Sequence, residues 1–237
     1  MRPDSTAAIR NLGLFAPIQD DTFHSLMEAS FLQRFPQSVV LIRESEPADF
    51  LYILVDGLVE MFAGTGSRET TLDIVAPVGV FILAAVLNDD VCLQSARTLA
   101  SSSILMIPAA RIHHAMQTDP SFARAIVMEL AKGYRRAIKD LKNQKLRSGA
   151  ERLANWLLQA EKEQGGSGSV DVGVEKRLLA SRLGMTPENL SRAFSVLKAY
   201  GVTVKGSHVG ILDHVSLTEF AKPNTLIDTP EKKLIFH

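Results

Sequence analysis

At Pro108 the chain changes its period. From residue 35 to 108 it runs as short apolar, β-prone segments, "SVVLI", "FLYILV", "LVEMFA", "TTLDIV" and "SSILMIP". Turn signals separate them at Glu46-Pro47, Asp56-Gly57, Gly64-Thr65-Gly66 and Asn88-Asp89-Asp90. Asp56-Gly57 between two apolar runs predicts a hairpin. Many short strands at this spacing predict a β-barrel or jelly-roll. Beyond Pro108 the apolar residues recur at helical spacing, so a β core and a helical core share one chain. The predicted fold class is α+β. Upstream, residues 18–32 ("IQDDTFHSLMEASFL") predict a short helix after a run of Asp caps.

From about 119 to 143 the apolar positions Val127, Leu130, Tyr134, Ala137 and Leu141 alternate spacings of three and four, the seam of a two-stranded coiled coil. A long helix docked on its own domain is the other reading. Because so long an amphipathic helix must bury its stripe somewhere, a homodimer is expected. Residues 148–163 predict a second amphipathic helix with the sole Trp, Trp156, on its apolar face. "GGSGS" at 165–169 reads as a flexible loop. Helices over about 175–183 and 187–200 follow, then a hairpin in "VTVKGSHVGIL". The tail from Lys222 is polar, contains Pro223 and Pro230, and is expected to be loosely attached. The predicted divisions are a β domain over 1–118, a dimerisation helix over 119–146, a helix-turn-helix domain over 147–220 and a tail over 221–237.

The 26 basic and 26 acidic residues balance, so whole-chain charge makes no case for nucleic acid. Their distribution does. Between 124 and 147 stand Arg124, Lys132, Arg135, Arg136, Lys139, Lys142, Lys145 and Arg147 against Glu129 and Asp140, whereas the first hundred residues carry acidic stretches such as "RESEPADF" and "LNDDV". That fits a polyanion contact confined to one end. A single cysteine, Cys92, excludes an internal disulfide and a thiolate metal cage. With no signal-peptide core and no apolar run long enough to cross a bilayer, the expectation is a cytoplasmic protein without membrane contact. No Ser-His-Asp, paired-carboxylate, phosphate-loop or zinc pattern is visible, and "GGSGS" lacks the Lys of a P-loop. An enzyme is not expected.

In "KRLLASRLGMTPENLSRAFSVL" the small Ala180 and the turn glycine Gly184 lie four apart, and Leu190 and Ala193 return as inward positions of the next helix. A helix-turn-helix needs this arrangement, with the second helix entering the major groove by its N-terminal residues. Those residues are Glu188, Asn189, Ser191 and Arg192. The chain resembles the Crp/Fnr superfamily of transcription regulators over about 12–215, and Glu188-Asn189-Leu190-Ser191-Arg192 matches the Fnr-type Glu-x-x-Ser-Arg signature of the recognition helix. The resemblance implies a cyclic-nucleotide-binding-like β-roll (double-stranded β-helix), a winged helix-turn-helix, a double-stranded DNA palindrome with TTGAT-like half-sites, and RNA polymerase as partner. Glu188 would accept from cytosine N4, Arg192 would donate to guanine or phosphate, and Ser191 would approach thymine. Lys176, Arg177, Thr186, Lys198 and Lys205 are the expected phosphate contacts.

For the sensor half, the resemblance points to Phe81, Leu83, Ala84, Gln94 and Ser95 as the effector pocket. Aligned on "GVFI", the ribose-binding Gly-Glu of cyclic AMP-binding members falls on Leu83-Ala84, and their phosphate-binding Arg-Ser falls near Gln94-Ser95. Cyclic AMP is therefore disfavoured, although a shifted alignment offers Arg97. One cysteine cannot hold the iron–sulfur cluster of Fnr proteins. What remains resembles the cluster-free Dnr/NnrR-type branch, which implies nitric oxide sensing through haem. His24, His113 and His114 are the candidate ligands, and Cys92 could be nitrosated or ligate iron.

Overall fold

Two four-stranded antiparallel sheets form the N-terminal half of the computed structural model, which describes residues 3–66 and 68–229. The strands are β1 (Phe31–Phe35), β2 (Val40–Ile42), β3 (Phe50–Asp56), β4 (Val59–Thr65), β5 (Arg68–Val75), β6 (Gly79–Phe81), β7 (Ser95–Thr98) and β8 (Ser102–Pro108). One sheet runs β1-β8-β3-β6 and the other β2-β7-β4-β5. Leu51, Ile53, Leu54, Val59, Met61, Ile104 and Ile107 pack between and behind them, which is why these strands read as nearly continuous apolar runs. The expected β domain is present.

Asp56-Gly57 does not make a hairpin. β3 pairs with β8 and β6, whereas β4 pairs with β5 and β7, so the turn carries the chain from one sheet to the other. Gly57 is required for a different reason: at φ +103° a Cβ would lie 2.6 Å from Ser102 Cα. The true hairpin of this region is β4–β5, through the Gly64-Thr65-Gly66 signal.

Helix α1 (Pro3–Arg10), α2 (Asp20–Glu28), α3 (Leu83–Asn88), α4 (Ala109–Thr118) and α5 (Pro120–Leu146) complete this half. The helix predicted over 18–32 stops at Glu28, because Phe31 and Leu32 pair with Met106 and Leu105 of β8. Phe15 stacks on Phe122 of α5 at 6.2 Å and meets Phe23 edge-on at 6.0 Å, closing the core. The chain divides into two units between Gly133 and Tyr134, inside α5 rather than at its ends. The first turns of α5 lend Phe122, Ala125 and Ile126 to the N-terminal core, and its last turns belong with the C-terminal unit.

Asp119 secures the start of α5. Its carboxylate accepts from Ser121 N–H at 2.9 Å, from the Ser121 hydroxyl at 2.5 Å and from Gln19 N–H at 3.0 Å. Burial alone would raise its pKa, but these bonds and the Thr22 hydroxyl outweigh it and hold the group at about 2, below its ordinary 3.8. Its stabilising contribution is thus full above pH 3.8 and is lost as pH falls toward 2. Asp119→Ala is expected to cost about 2 kcal/mol in urea unfolding at pH 7 and much less near pH 2.

The C-terminal unit packs α6 (Gly149–Glu163), α7 (Lys176–Arg182), α8 (Pro187–Leu197) and α9 (His214–Ala221) around Leu153, Leu157, Leu179, Leu190 and Leu197, with Trp156 half-buried at the margin. Ser148 and Glu151 form a capping box at the start of α6. The predicted hairpin is β10 (Val202–Lys205) with β11 (His208–Ile211). A third strand, β9 (Ser169–Asp171), joins it, so the expected flexible loop ends one residue early, at Gly168.

The tail is not loose where it is described. Helix α10 (Thr225–Asp228) is capped by Asn224, and Asp228 is bound bidentately by Arg147. Residues 230–237 lie outside the described residues. No described helix is long and apolar enough to cross a membrane.

Candidate nucleic-acid interface and effector region

Helix α7 ends because Gly184 takes φ +64°. Met185 N–H then bonds Ala180 C=O at 3.0 Å and Gly184 N–H bonds Ser181 C=O at 2.8 Å, the paired hydrogen bonds of a left-handed helix stop. A Cβ on Gly184 would also lie 2.7 Å from Gln144 Oε1. Two residues later Thr186 caps α8, its hydroxyl accepting from Asn189 N–H at 3.3 Å, with Pro187 in the first turn. Ala180 is fully buried where the helices cross, and Leu190 and Ala193 face the core, as their spacing predicts.

The opposite edge of α8 is open. Glu188, Asn189, Ser191 and Arg192 are all exposed. The Glu188 carboxyl lies below its ordinary range because the Thr186 hydroxyl and its own N–H bond it and Arg192 stands near. It is therefore an ionised acceptor at neutral pH, suited to an amino donor on a base edge. Lys176, Arg177, Lys198 and Lys205 are exposed, on α7, after α8 and on β10. Thr186 is exposed too, but its hydroxyl is engaged in capping α8 and bonding Glu188, which leaves it less free for a phosphate than expected.

On α5, Val127, Leu130, Tyr134, Ala137 and Leu141 lie uncovered, with Val127 62% and Tyr134 70% exposed. The stripe includes Ile138, which the sequence reading passed over although it stands four from Tyr134 and three from Leu141. Also missed was Arg152 of α6, whose Nε donates to Leu183 C=O at 2.8 Å in the helix-turn-helix turn. No local signal marks it, since its partner is 31 residues away.

In the N-terminal unit the five expected effector residues differ in exposure. Phe81 and Leu83 are buried in the core, Ala84 is exposed, Gln94 is half-buried, and Ser95 Oγ accepts from Glu44 N–H at 3.0 Å. A groove of about 410 Å³ lies elsewhere, lined by Pro47, Ala48, Asp49, Asp89, Asp90, Val91 and the start of α4. Arg97 does not turn to the core either. It bonds Glu60 at 2.6 Å and Glu69 at 2.9 Å and covers the Phe62 ring at 4.2 Å. In the N-terminal unit the buried charged residues among those described are the carboxylates Glu60 and Asp119, and Arg97 is already paired with the first of them.

The three histidines expected as haem ligands lie on helices α2 and α4. His24 and His114 are exposed and His113 is half-buried, with His24 Nδ1 2.7 Å from Asp20 C=O. Cys92 is buried, and burial together with Glu46 and Asp49 raises its thiol pKa, so it stays protonated. No group of three His, Cys, Asp or Glu is placed to hold a metal ion among the described residues.

The domain model of the Crp-like helix-turn-helix matches residues 151–220, and that of the cyclic nucleotide-binding domain matches residues 32–119. The CRP-like cAMP-activated global transcriptional regulator of Mycobacterium tuberculosis is 22% identical over 216 residues, covering 89% of this chain and 96% of that protein. A crystal structure from Ruegeria pomeroyi, of a protein assigned as cyclic nucleotide binding, is 28% identical with a TM-score of 0.60, covering 94% of this chain and 100% of that one. DNR from Pseudomonas aeruginosa is 22% identical with a TM-score of 0.52, over 93% and 99%, a likeness of fold that other solved structures share. The two domain matches, in this order and joined by one long helix, show that the chain belongs to the Crp/Fnr family of DNA-binding transcription regulators, a family of non-enzymes.

Proposed function

We propose that the protein is a homodimeric regulator that reads a palindrome with TTGAT-like half-sites. One observation carries this reading: Glu188, Asn189, Ser191 and Arg192 form an exposed edge on a helix whose start is doubly secured, by Thr186 and by the Gly184 turn. Glu188 and Arg192 supply an acceptor and a forked donor one turn apart, the pair of groups that separates C from G in the major groove. Lys176, Arg177, Lys198 and Lys205 then serve the backbone and set register. The stripe on α5 supplies the two-fold, so that two copies of α8 address half-sites one helical turn apart. Such a dimer would work in the cytoplasm, alongside RNA polymerase.

For the effector, side-chain chemistry supports a small uncharged molecule over a cyclic nucleotide. The nitric oxide response of the resembling Dnr-type branch belongs to that class. An effector would act by shifting the α5 pairing, and a coupling of about 1–3 kcal/mol gives a 5–150-fold response.

Selection from a random-sequence duplex pool tests the reading. The full chain is expected to enrich a palindrome, with affinity falling steeply with salt. Arg192→Ala is expected to cost about 1–3 kcal/mol and to relax preference at one base pair of each half-site. Unchanged base preference in the variant would remove Arg192 from the reading edge.

A further inference from the structure

We propose that Arg147, Arg152 and the C-terminal segment 222–229 form a lock that positions α8, with Arg147 and the segment flanking the matched helix-turn-helix domain on either side and Arg152 just inside its start. The inference deepens the DNA-binding reading and rests on it.

The lock lies wholly within the C-terminal unit. The last carbonyls of α5 have no helical partners and must find donors elsewhere. Arg152, near the start of α6, supplies a donor there, with Nη1 reaching Gln144 C=O at 3.5 Å and donating at 2.7 Å to the C=O of Arg147, the residue that follows α5. The same guanidinium bonds Leu183 C=O at 2.8 Å and reaches Gly184 C=O at 3.3 Å. One planar group thereby ties the end of α5 to the turn immediately before Thr186, the cap of α8. Any tilt of α5 against α6 strains bonds that hold the first turn of the reading helix.

Arg147 closes the lock from the other side. Its side chain is only 7% exposed and grips Asp228 through both nitrogens, at 2.6 and 2.5 Å, while Nη1 also donates to Asn143 Oδ1 at 3.0 Å. Asp228 is itself held, because Asn224 N–H donates to Oδ2 at 2.6 Å. The segment is pinned at each end: Asn155 Nδ2 donates to Ala221 C=O at 2.7 Å, and Lys139 Nζ donates to Thr229 C=O at 2.7 Å. Its contacts therefore run from Lys139 to Asn155 across the α5–α6 joint, where a bend would redirect α8. A bidentate pair this buried resists such a bend because opening it strands the guanidinium.

A positioning role differs from a merely structural one in what it controls. It governs the separation of two reading helices, hence the spacing of half-sites, and leaves each half-site contact alone. The test uses full-length Asp228→Asn, which keeps shape and loses charge, beside Asp228→Glu, which keeps the carboxylate. In amide hydrogen exchange, Asp228→Asn is expected to speed exchange in residues 146–152 about tenfold while the Leu153–Leu157 core stays protected. On the selected palindrome and on versions one base pair longer or shorter, wild type is expected to discriminate about tenfold or more. Asp228→Asn is expected to lose most of that discrimination with half-site affinity unchanged, and Asp228→Glu to restore it.

Unchanged exchange in Asp228→Asn overturns the lock. Faster local exchange with unchanged spacing preference overturns the positioning role, as does fast exchange throughout the unit, which would mark Asp228 as structural. Should wild type bind no palindrome, the DNA reading fails while the exchange result still decides the lock.

Discussion

A chain carrying Leu130→Asp and Tyr134→Asp is expected to fold, to sediment as a monomer, and to lose about a hundredfold or more in affinity for a two-half-site duplex. Leu130 is 40% exposed and Tyr134 more so, hence neither supports the core of the single chain and the monomer has little stability to lose. In a coiled-coil seam the same side chains would be buried, each contributing about 1.5–3 kcal/mol that a carboxylate both forfeits and opposes. The DNA effect follows from geometry: with two half-sites bound by one dimer the second contact is intramolecular, and separating the copies removes that advantage. Sedimentation velocity reads the first effect and titration of full and half palindromes the second. A dimer that persists in the variant would mean that the stripe is covered by something other than a second copy. Unchanged affinity for a single half-site is the control that ties the loss to pairing.

The second large effect concerns Arg97. Arg97→Met is expected to destabilise the N-terminal unit by about 3 kcal/mol in urea unfolding, because it leaves Glu60 buried with only Thr71 beside it. Glu60 is 2% exposed, bonded by Arg97 Nε at 2.6 Å and by the Thr71 hydroxyl at 2.6 Å. The lower end of the range for a broken buried pair applies, since a third of the Arg97 side chain reaches water and Glu69 shares it. Glu60→Gln combined with Arg97→Met is expected to recover most of the loss, as no buried charge then lacks a partner. The pair also separates two roles for this arginine. A guanidinium reserved for a cyclic phosphate would leave stability nearly unchanged when removed and would abolish nucleotide binding instead.

These residues mark where local reading reaches its limit. The cap of α8, its outward Glu188–Arg192 edge and its inward Leu190 and Ala193 were legible because they depend on neighbours three or four residues apart on one helix. The α5 stripe was legible for the same reason, and Ile138 belongs to it by the same spacing. By contrast, Asp56-Gly57 has the composition of a hairpin turn and makes none. Local sequence sets the bend, while the strands available for pairing decide which sheet receives the chain after it. Arg97 was a candidate ligand until β4 and β7 paired, which put Glu60 directly across from it.

What the sequence by itself determined is the alternation of buried and open faces along each element, and therefore the exposed Glu188–Arg192 edge of α8 and the apolar stripe of α5. Only the tertiary structure decided which open group meets which: Arg97 with Glu60, Arg152 with the turn before α8, and Arg147 with Asp228 across 81 residues. Periodicity acts over one or two turns of chain, so it assigns a side chain to a face. The partner on that face comes from strand pairing and helix packing, which bring together residues with no local correlation.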